Sequence, residues 1–319
     1  MINLLRPIIR GDSLLIYSIN FPNFANNCNI KMEKKIRLVY PQWQGADIAR
    51  WIPNIPEEDS SRGYYLGAML LNWLAPKTDC ETYTVPVSTD YSERLITDGV
   101  LDKEIINKQT KAALDVLDIA KPDKVVTLGG ECSVSVPVFT WLNEKYENDV
   151  AVIWMDAHPD VTLPSDDYNG YHAMALSACM GMGDKDIISK LPSKILPHNV
   201  CLAGLREYEY SYIKERVNEL GLPHFSPELL STDSKVLIDW IRNTGKKKVM
   251  IHFDMDVLDP SDILAAVADG PEGGLKLKEA VRIINDIAKE FELIALTVAE
   301  PMPRIAIRLK QMLSELPLV

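Results

Sequence analysis

The sequence contains no apolar run approaching the roughly 20 residues that a membrane-spanning helix needs, so no membrane contact is expected. It also lacks any CxxC pair. Its cysteines, Cys28, Cys80, Cys132, Cys179 and Cys201, are dispersed and odd in number. Such a set does not form a disulfide framework, and a reducing, cytoplasmic compartment is the expectation. Positive charge is in deficit, with 34 Lys and Arg against 45 Asp and Glu and a formal net charge of -11. That balance argues against nonspecific nucleic-acid binding, which needs basic side chains to displace counterions. Internal repeats and low-complexity linkers are missing as well. Near the start, Leu14-Leu15-Ile16-Tyr17 follows two arginines but is too short for a signal h-region, and no small-residue cleavage site follows it. Residues 23–29 are polar and Asn-rich. Residues 1–31 are therefore expected to be a poorly structured extension, 32–319 the folded domain, and Met32 an alternative start to Met1.

What remains is ordinary soluble composition: 319 residues, 47% hydrophobic and 25% charged, enough to bury a sizeable core. From Lys34 onward, strand-like apolar runs alternate with segments of helical period. Ile36–Tyr40, Lys124–Leu128, Val150–Met155, Asn199–Leu205, Lys248–Phe253 and Leu293–Val298 read as strands. Helices are expected over 103–120, around 208–220, and over 234–244, 276–290 and 304–316; Lys121-Pro122-Asp123 stops the first of them. Continuous apolar strands separated by helices imply a parallel sheet covered on both faces, a single αβα domain.

The polar residues fall where such a sheet binds ligands. Glu131 and Cys132, Asp156 to Asp160, Glu207 and Glu209, Asp254 and Asp256, and Glu300 each follow a strand end. In open parallel sheets, ligands sit outside the carboxyl ends of the strands. Asp156, His158 and Asp160 alternate, so on an extended segment they share a side, and Asp254 and Asp256 do the same. Four carboxylates and one imidazole suit Mn²⁺ or a similar divalent ion better than a structural zinc. Carboxylates also bridge, so such a set can hold two ions roughly 3.5–4 Å apart. His252, two residues before Asp254, is expected to be a satisfied core or supporting histidine.

Three segments carry a resemblance: Gly129-Gly-Glu-Cys-Ser133, Asp156-Ala-His-Pro-Asp160 and His252-Phe-Asp-Met-Asp-Val-Leu-Asp-Pro260. In series they resemble the signatures GGDHS, DAHxD and [ST]FDxDxxDP of the ureohydrolase family, which includes arginases, agmatinases and relatives acting on guanidino or formimino groups. The likeness extends through Pro271-Glu-Gly-Gly-Leu275 and Leu296-Thr-Val-Ala-Glu-Pro301, and covers roughly residues 36–318. It implies a three-layer αβα sandwich with a central, mostly parallel eight-stranded sheet and a two-manganese site. Asp156 and Asp254 would bridge the ions, His158 and Asp256 would complete one, and Asp160 and residue 132 the other. The chain departs from the family there, with Cys132 in place of the histidine and Glu131 in place of the preceding aspartate. A thiolate ligand favours softer ions than manganese.

The resemblance further implies that metal-activated hydroxide attacks a guanidinium carbon, releasing urea or a urea derivative. Asp160 would hold and relay the proton, His172 would shuttle protons, and Glu300 would pair with the guanidinium. Glu209 matches a family acid that reads a substrate ammonium. The segment that holds an amino-acid carboxylate in arginases is here Pro164-Ser-Asp-Asp-Tyr-Asn169, whose two aspartates favour a cationic tail instead. The Thr-rich loop after the third motif is replaced by Leu264-Ala-Ala-Val-Ala-Asp269, so an agmatine-like or modified guanidino compound fits as well as arginine. A homo-oligomer, trimer or hexamer, is the assembly usual for lookalikes. Two other readings stand beside this one. Asp156, His158 and Asp254 around one ion look like the single-zinc site of histone deacetylases, which would make a mononuclear amidohydrolase. Alternatively, the chain is a catalytically weak binding relative.

Overall fold

The computed structural model describes residues 33–91, 94–206, 208, 210–265 and 273–317. The expected 1–31 extension, Glu207, Glu209 and residues 266–272 lie outside the described residues.

Eight strands form one sheet: β1 (Lys35–Tyr40), β2 (Glu81–Thr84), β3 (Lys124–Gly129), β4 (Val150–Met155), β5 (Val200–Ala203), β6 (His224–Phe225), β7 (Lys248–Asp254) and β8 (Glu292–Ala299). Their spatial order is β2-β1-β3-β8-β7-β4-β5-β6, and every neighbouring pair is parallel. The longer helices are α1 (Gly63–Leu74), α2 (Lys103–Ala120), α3 (Ser135–Lys145), α4 (Ser211–Glu219), α5 (Lys235–Thr244), α6 (Leu277–Glu290) and α7 (Arg304–Glu315).

Side-chain alternation sorts the core into two layers. Val150, Val152 and Trp154 pack with Ile106, Leu117, Phe139 and Val217 from α2, α3 and α4 on one face. Ala151, Ile153 and Met155 pack with Leu237, Ile241, Ile283 and Ile287 from α5 and α6 on the other. Because both faces are covered, all six residues of β4 are buried, which explains the unbroken apolar run. Each such Val or Ile contributes roughly 1.5–3 kcal/mol on burial. The fold is thus the three-layer αβα sandwich anticipated from the sequence.

Helix ends follow local chemistry. Lys121 takes a left-handed φ of +47° after α2, and Pro122 cannot continue the helix. Gly245, at φ +71°, closes α5 in the same way. Elements missing from the sequence reading are those without a clear pattern. β2 and β6 are short edge strands, α1, GYYLGAMLLNWL, is apolar nearly all round, and α3, SVPVFTWLNEK, is buried along most of its length. Among the described residues no helix is long and apolar enough to cross a membrane. Cys80, Cys132, Cys179 and Cys201 are free thiols.

Candidate metal centre

Four adjacent strands, β3, β8, β7 and β4, end at one rim, and each delivers a side chain there. Cys132 follows β3, Glu300 follows β8, Asp254 ends β7 and Asp156 follows β4. The close approach behind Cys132 needs a glycine, because a Cβ on Gly130 would lie 1.8 Å from the Gln42 carbonyl oxygen.

Two of these strand ends turn in the same way. Asp156 Oδ1 accepts the His158 N–H at 2.7 Å, and Asp254 Oδ1 accepts the Asp256 N–H at 2.7 Å. Each aspartate thereby bonds its own backbone two residues on, a turn that aspartate favours. His158 Nδ1 then lies 2.9 Å from Asp256 Oδ2 and 3.6 Å from Asp156 Oδ1. The Ala157 N–H donates to Asp256 Oδ1 at 3.1 Å and locks the two turns together. Potential ligand atoms of Asp156, His158 and Asp256 all fall within 4.8 Å of one another.

Two further groups meet that criterion: Cys132, Asp156, His252 and Asp254, and Cys132, His172 and Glu300. Cys132 Sγ stands 2.9 Å from Asp254 Oδ2 and 3.3 Å from Glu300 Oε1. Glu300 Oε1 also lies 3.1 Å from His172 Nδ1, while its Oε2 accepts the Tyr64 hydroxyl. His172 Nε2 is 2.7 Å from the Tyr168 hydroxyl. Asp160 and Glu300 hold left-handed backbone, φ +49° and +60°, which non-glycine residues seldom adopt.

Crowded, buried carboxylates make the electrostatics unfavourable without a cation. Burial, then the Asp256 charge, pushes Asp156 up to about 7. Burial drives Asp160 and Asp254 well above the usual carboxylate range, helped by Asp156 and Asp256 respectively. Burial also opposes ionisation of Asp256, but the charge and hydrogen bond of His158 outweigh it and hold that carboxyl low. The closer contact of His158 to Asp256 than to Asp156 explains why these neighbours shift in opposite directions. Burial raises the Cys132 thiol well above its ordinary value, and Asp254 and Glu300 add to that. Asp160 Oδ2 is buried with no hydrogen-bond partner. An orphaned carboxylate oxygen, mutually repelling carboxylates and converging imidazole and thiol donors fit divalent cations.

Sequence and structure comparisons identify the lineage. The family model described as the arginase family matches residues 71–313, more than half of the chain. The chain belongs to the arginase family. An arginase of Eremothecium gossypii is 30% identical over 192 residues, covering 57% of this chain and 47% of that one. The chain therefore matches about half the length of that relative. Entamoeba histolytica arginase, solved in complex with L-ornithine, superposes with a TM-score of 0.67 at 20% identity, covering 86% of this chain and 92% of that one. Arginase from Bacillus caldovelox gives 0.66 at 21% identity, covering 90% and 100%. At such identities these structures establish the shared fold.

Within this arginase-family rim, the structure brings together Cys132, Asp156, His158, His172, Asp254, Asp256 and Glu300. Asp160 stands outside those three groups, although its carboxyl feels the charges of Asp156, His158 and Glu300. Glu209 lies outside the described residues. Three readings change. Glu131 points inward rather than to the rim, accepting from Gln42 Nε2, Ser133 N and Ser133 Oγ, each at 2.7 Å. His158 groups with Asp256 instead of Asp254, so the mononuclear Asp156–His158–Asp254 arrangement is not the cluster formed. Asp166 is engaged by Arg216, at 2.6 Å and 3.0 Å, so one of the two aspartates counted against a substrate carboxylate is neutralised. Sequence reasoning missed Tyr64 and Tyr168. Tyr64 sits on a helix with no polar face to announce it, and nothing in the segment around Tyr168 sets it apart.

Proposed function

We propose that this protein is a metal-dependent hydrolase of a guanidino compound, releasing urea or a urea derivative. The observation that carries the reading is the convergence of Asp156, His158 and Asp256 beside Cys132, Asp254 and Glu300 on one sheet rim. Asp156, His158 and Asp256 would hold one ion, and Cys132 and Asp254, with Asp156 beside them, a second; manganese is the family expectation. Bound divalent ions supply Lewis-acid charge that makes a water nucleophilic near neutral pH.

The chain's own groups do the rest. Glu300 orients the planar guanidinium through its carboxylate, and water or substrate N–H groups compete there with the Tyr64 hydroxyl and His172. His172, about 14% exposed at the side chain, links Glu300 to Tyr168 and delivers a proton to the departing nitrogen. Asp160, with its free buried oxygen, accepts the proton of the attacking water.

Substrate class follows from what adjoins Glu300. A cavity of about 140 Å³ has Glu300 in its lining, together with Leu70, Leu71, Met255, Ile263 and Met302 among others. An apolar wall favours a guanidine with an aliphatic tail over the zwitterionic end of arginine. Urea release should be measured for arginine, agmatine and simple alkylguanidines after chelation and reloading with Mn²⁺, Co²⁺ or Zn²⁺. Metal-dependent urea from an alkylguanidine or agmatine supports the reading. No urea from any of them with any metal would overturn it.

A further inference from the structure

We propose that His252 is a ligand of the ion held beside Cys132, supplying from strand β7 the imidazole that position 132 has lost. The inference rests on reading the rim as a divalent-metal centre and deepens it.

His252 is completely buried in the middle of the sheet, where a polar ring is costly unless both nitrogens are used. Only one has a protein partner. Nδ1 lies 2.8 Å from Ser135 Oγ, at the start of α3. Nε2 has none. That nitrogen is aimed at the rim, 3.9 Å from Asp156 Oδ2 and within the 4.8 Å group that includes Cys132 and Asp254.

The ring is held in this attitude. His252 pairs across the ladder with Trp154, and the two rings stack at 3.7 Å with 11° between their planes. Trp154 Nε1 in turn donates to Asp156 Oδ2 at 3.0 Å. Stacking on one side and Ser135 on the other leave the imidazole no simple rotation away from the rim. With its proton on Nδ1 and donated to Ser135, the ring presents the Nε2 lone pair outward, the arrangement by which a supporting hydrogen bond orients a metal-binding histidine.

The sequence departures agree with this placement. The ureohydrolase signatures carry histidine where this chain has Cys132, and serine or threonine where it has His252. Both exceptions face the same spot, so the number of imidazoles is conserved while their origin changes. The resulting set is one sulfur, one nitrogen and two carboxylates. Donors about 2.0–2.3 Å from a tetrahedral ion stand about 3.3–3.8 Å apart. The separations here, 2.9 Å for Cys132–Asp254 and 3.9 Å for His252–Asp156, bracket that range. A four-donor set containing thiolate selects zinc, cobalt or ferrous iron over manganese. The two positions of the rim then differ in metal preference.

The test uses full-length protein, stripped by a chelator and titrated with Co²⁺. Wild type should bind two equivalents, one of them giving the intense visible band of four-coordinate cobalt and a thiolate charge-transfer band. His252→Asn should lose that equivalent, or weaken it at least 100-fold, while the equivalent at Asp156, His158 and Asp256 titrates unchanged. Adding Cys132→His to His252→Asn should restore a second equivalent without the thiolate band, which separates ligand loss from misfolding. Ser135→Ala, which keeps the ring, should weaken only the cysteine-containing site, by roughly 10- to 100-fold. Two equivalents with an unchanged spectrum in His252→Asn would overturn the inference and leave the metallohydrolase reading intact. A wild type that binds no Co²⁺ would overturn both.

Discussion

The two ends of the rim are built on different terms. At the Asp156–His158–Asp256 end, two strands finish in the same aspartate turn, and the residues match the family signatures position for position. At the Cys132–Glu300 end, a thiol replaces an imidazole and a buried glutamate is held by a tyrosine, a histidine and the cysteine itself. The first end is made by backbone turns that any parallel strand pair can support. The second depends on side chains from α1, β3, β7 and β8 meeting in the interior. One part of a site can therefore stay constant while its neighbour is rebuilt.

The constant end should be the less forgiving. Asp256→Asn keeps the shape but removes the charge that pairs with His158 at 2.9 Å. A loss of roughly 4 kcal/mol of charge stabilisation corresponds to a fall of about 1000-fold in kcat/KM for urea release. The cobalt–thiolate band of the other end should survive. Near-normal turnover would erase the distinction between the two ends, and so would joint loss of both metals.

Metal removal should expose the charge crowding that the constant end carries. In the stripped protein, burial and the Asp256 charge raise Asp156 from 3.8 to about 7. A carboxyl raised on folding binds its proton more tightly folded than unfolded, so stability falls as pH rises. The decline should run from about pH 4 to about pH 7. Asp156→Asn removes one of the raised carboxyls and leaves those of Asp160 and Asp254, so it should decline less steeply. Denaturant midpoints of the chelated wild type should therefore drop relative to chelated Asp156→Asn across that window. A constant gap between the two would show that Asp156 is not the group responsible.

Legibility in the sequence follows the same division. Strands β3, β4, β7 and β8 were readable because none of their residues is exposed, which writes them as mostly apolar runs. The turns after β4 and β7 were readable because alternating acids and histidine have no use inside a core. Short edge strands and the all-round apolar α1 carry no such pattern, so Tyr64 was invisible. Glu131 was misread for a different reason. Following a strand end was enough to suggest a rim residue, but the chain spends it capping the turn at Ser133, 2.7 Å away. His252 showed that it shares a side with Asp254, yet whether its second nitrogen finds a partner depends on packing that only three dimensions reveal.

Tyr64 offers the finest probe of the rebuilt end. Its helix comes close enough to reach Glu300 because Gly67, one turn on, has no side chain; a Cβ there would lie 1.5 Å from the Pro301 carbonyl oxygen. Tyr64→Phe retains the ring and removes only the hydroxyl that bonds Glu300 Oε2. A buried hydrogen bond to a charged group is worth about 1.5–3 kcal/mol, so thermal or denaturant unfolding should register a loss of that order. Metal content at the Asp156–His158–Asp256 end should not change, because the Tyr64 hydroxyl bonds Glu300 and not one of those three residues. If Glu300 orients the guanidinium, freeing one of its oxygens should alter KM more than kcat. An effect on stability with identical KM and kcat would leave the Tyr64–Glu300 bond as a brace of α1 against the sheet, and the rebuilt end would then differ from the constant one in its metal donors alone.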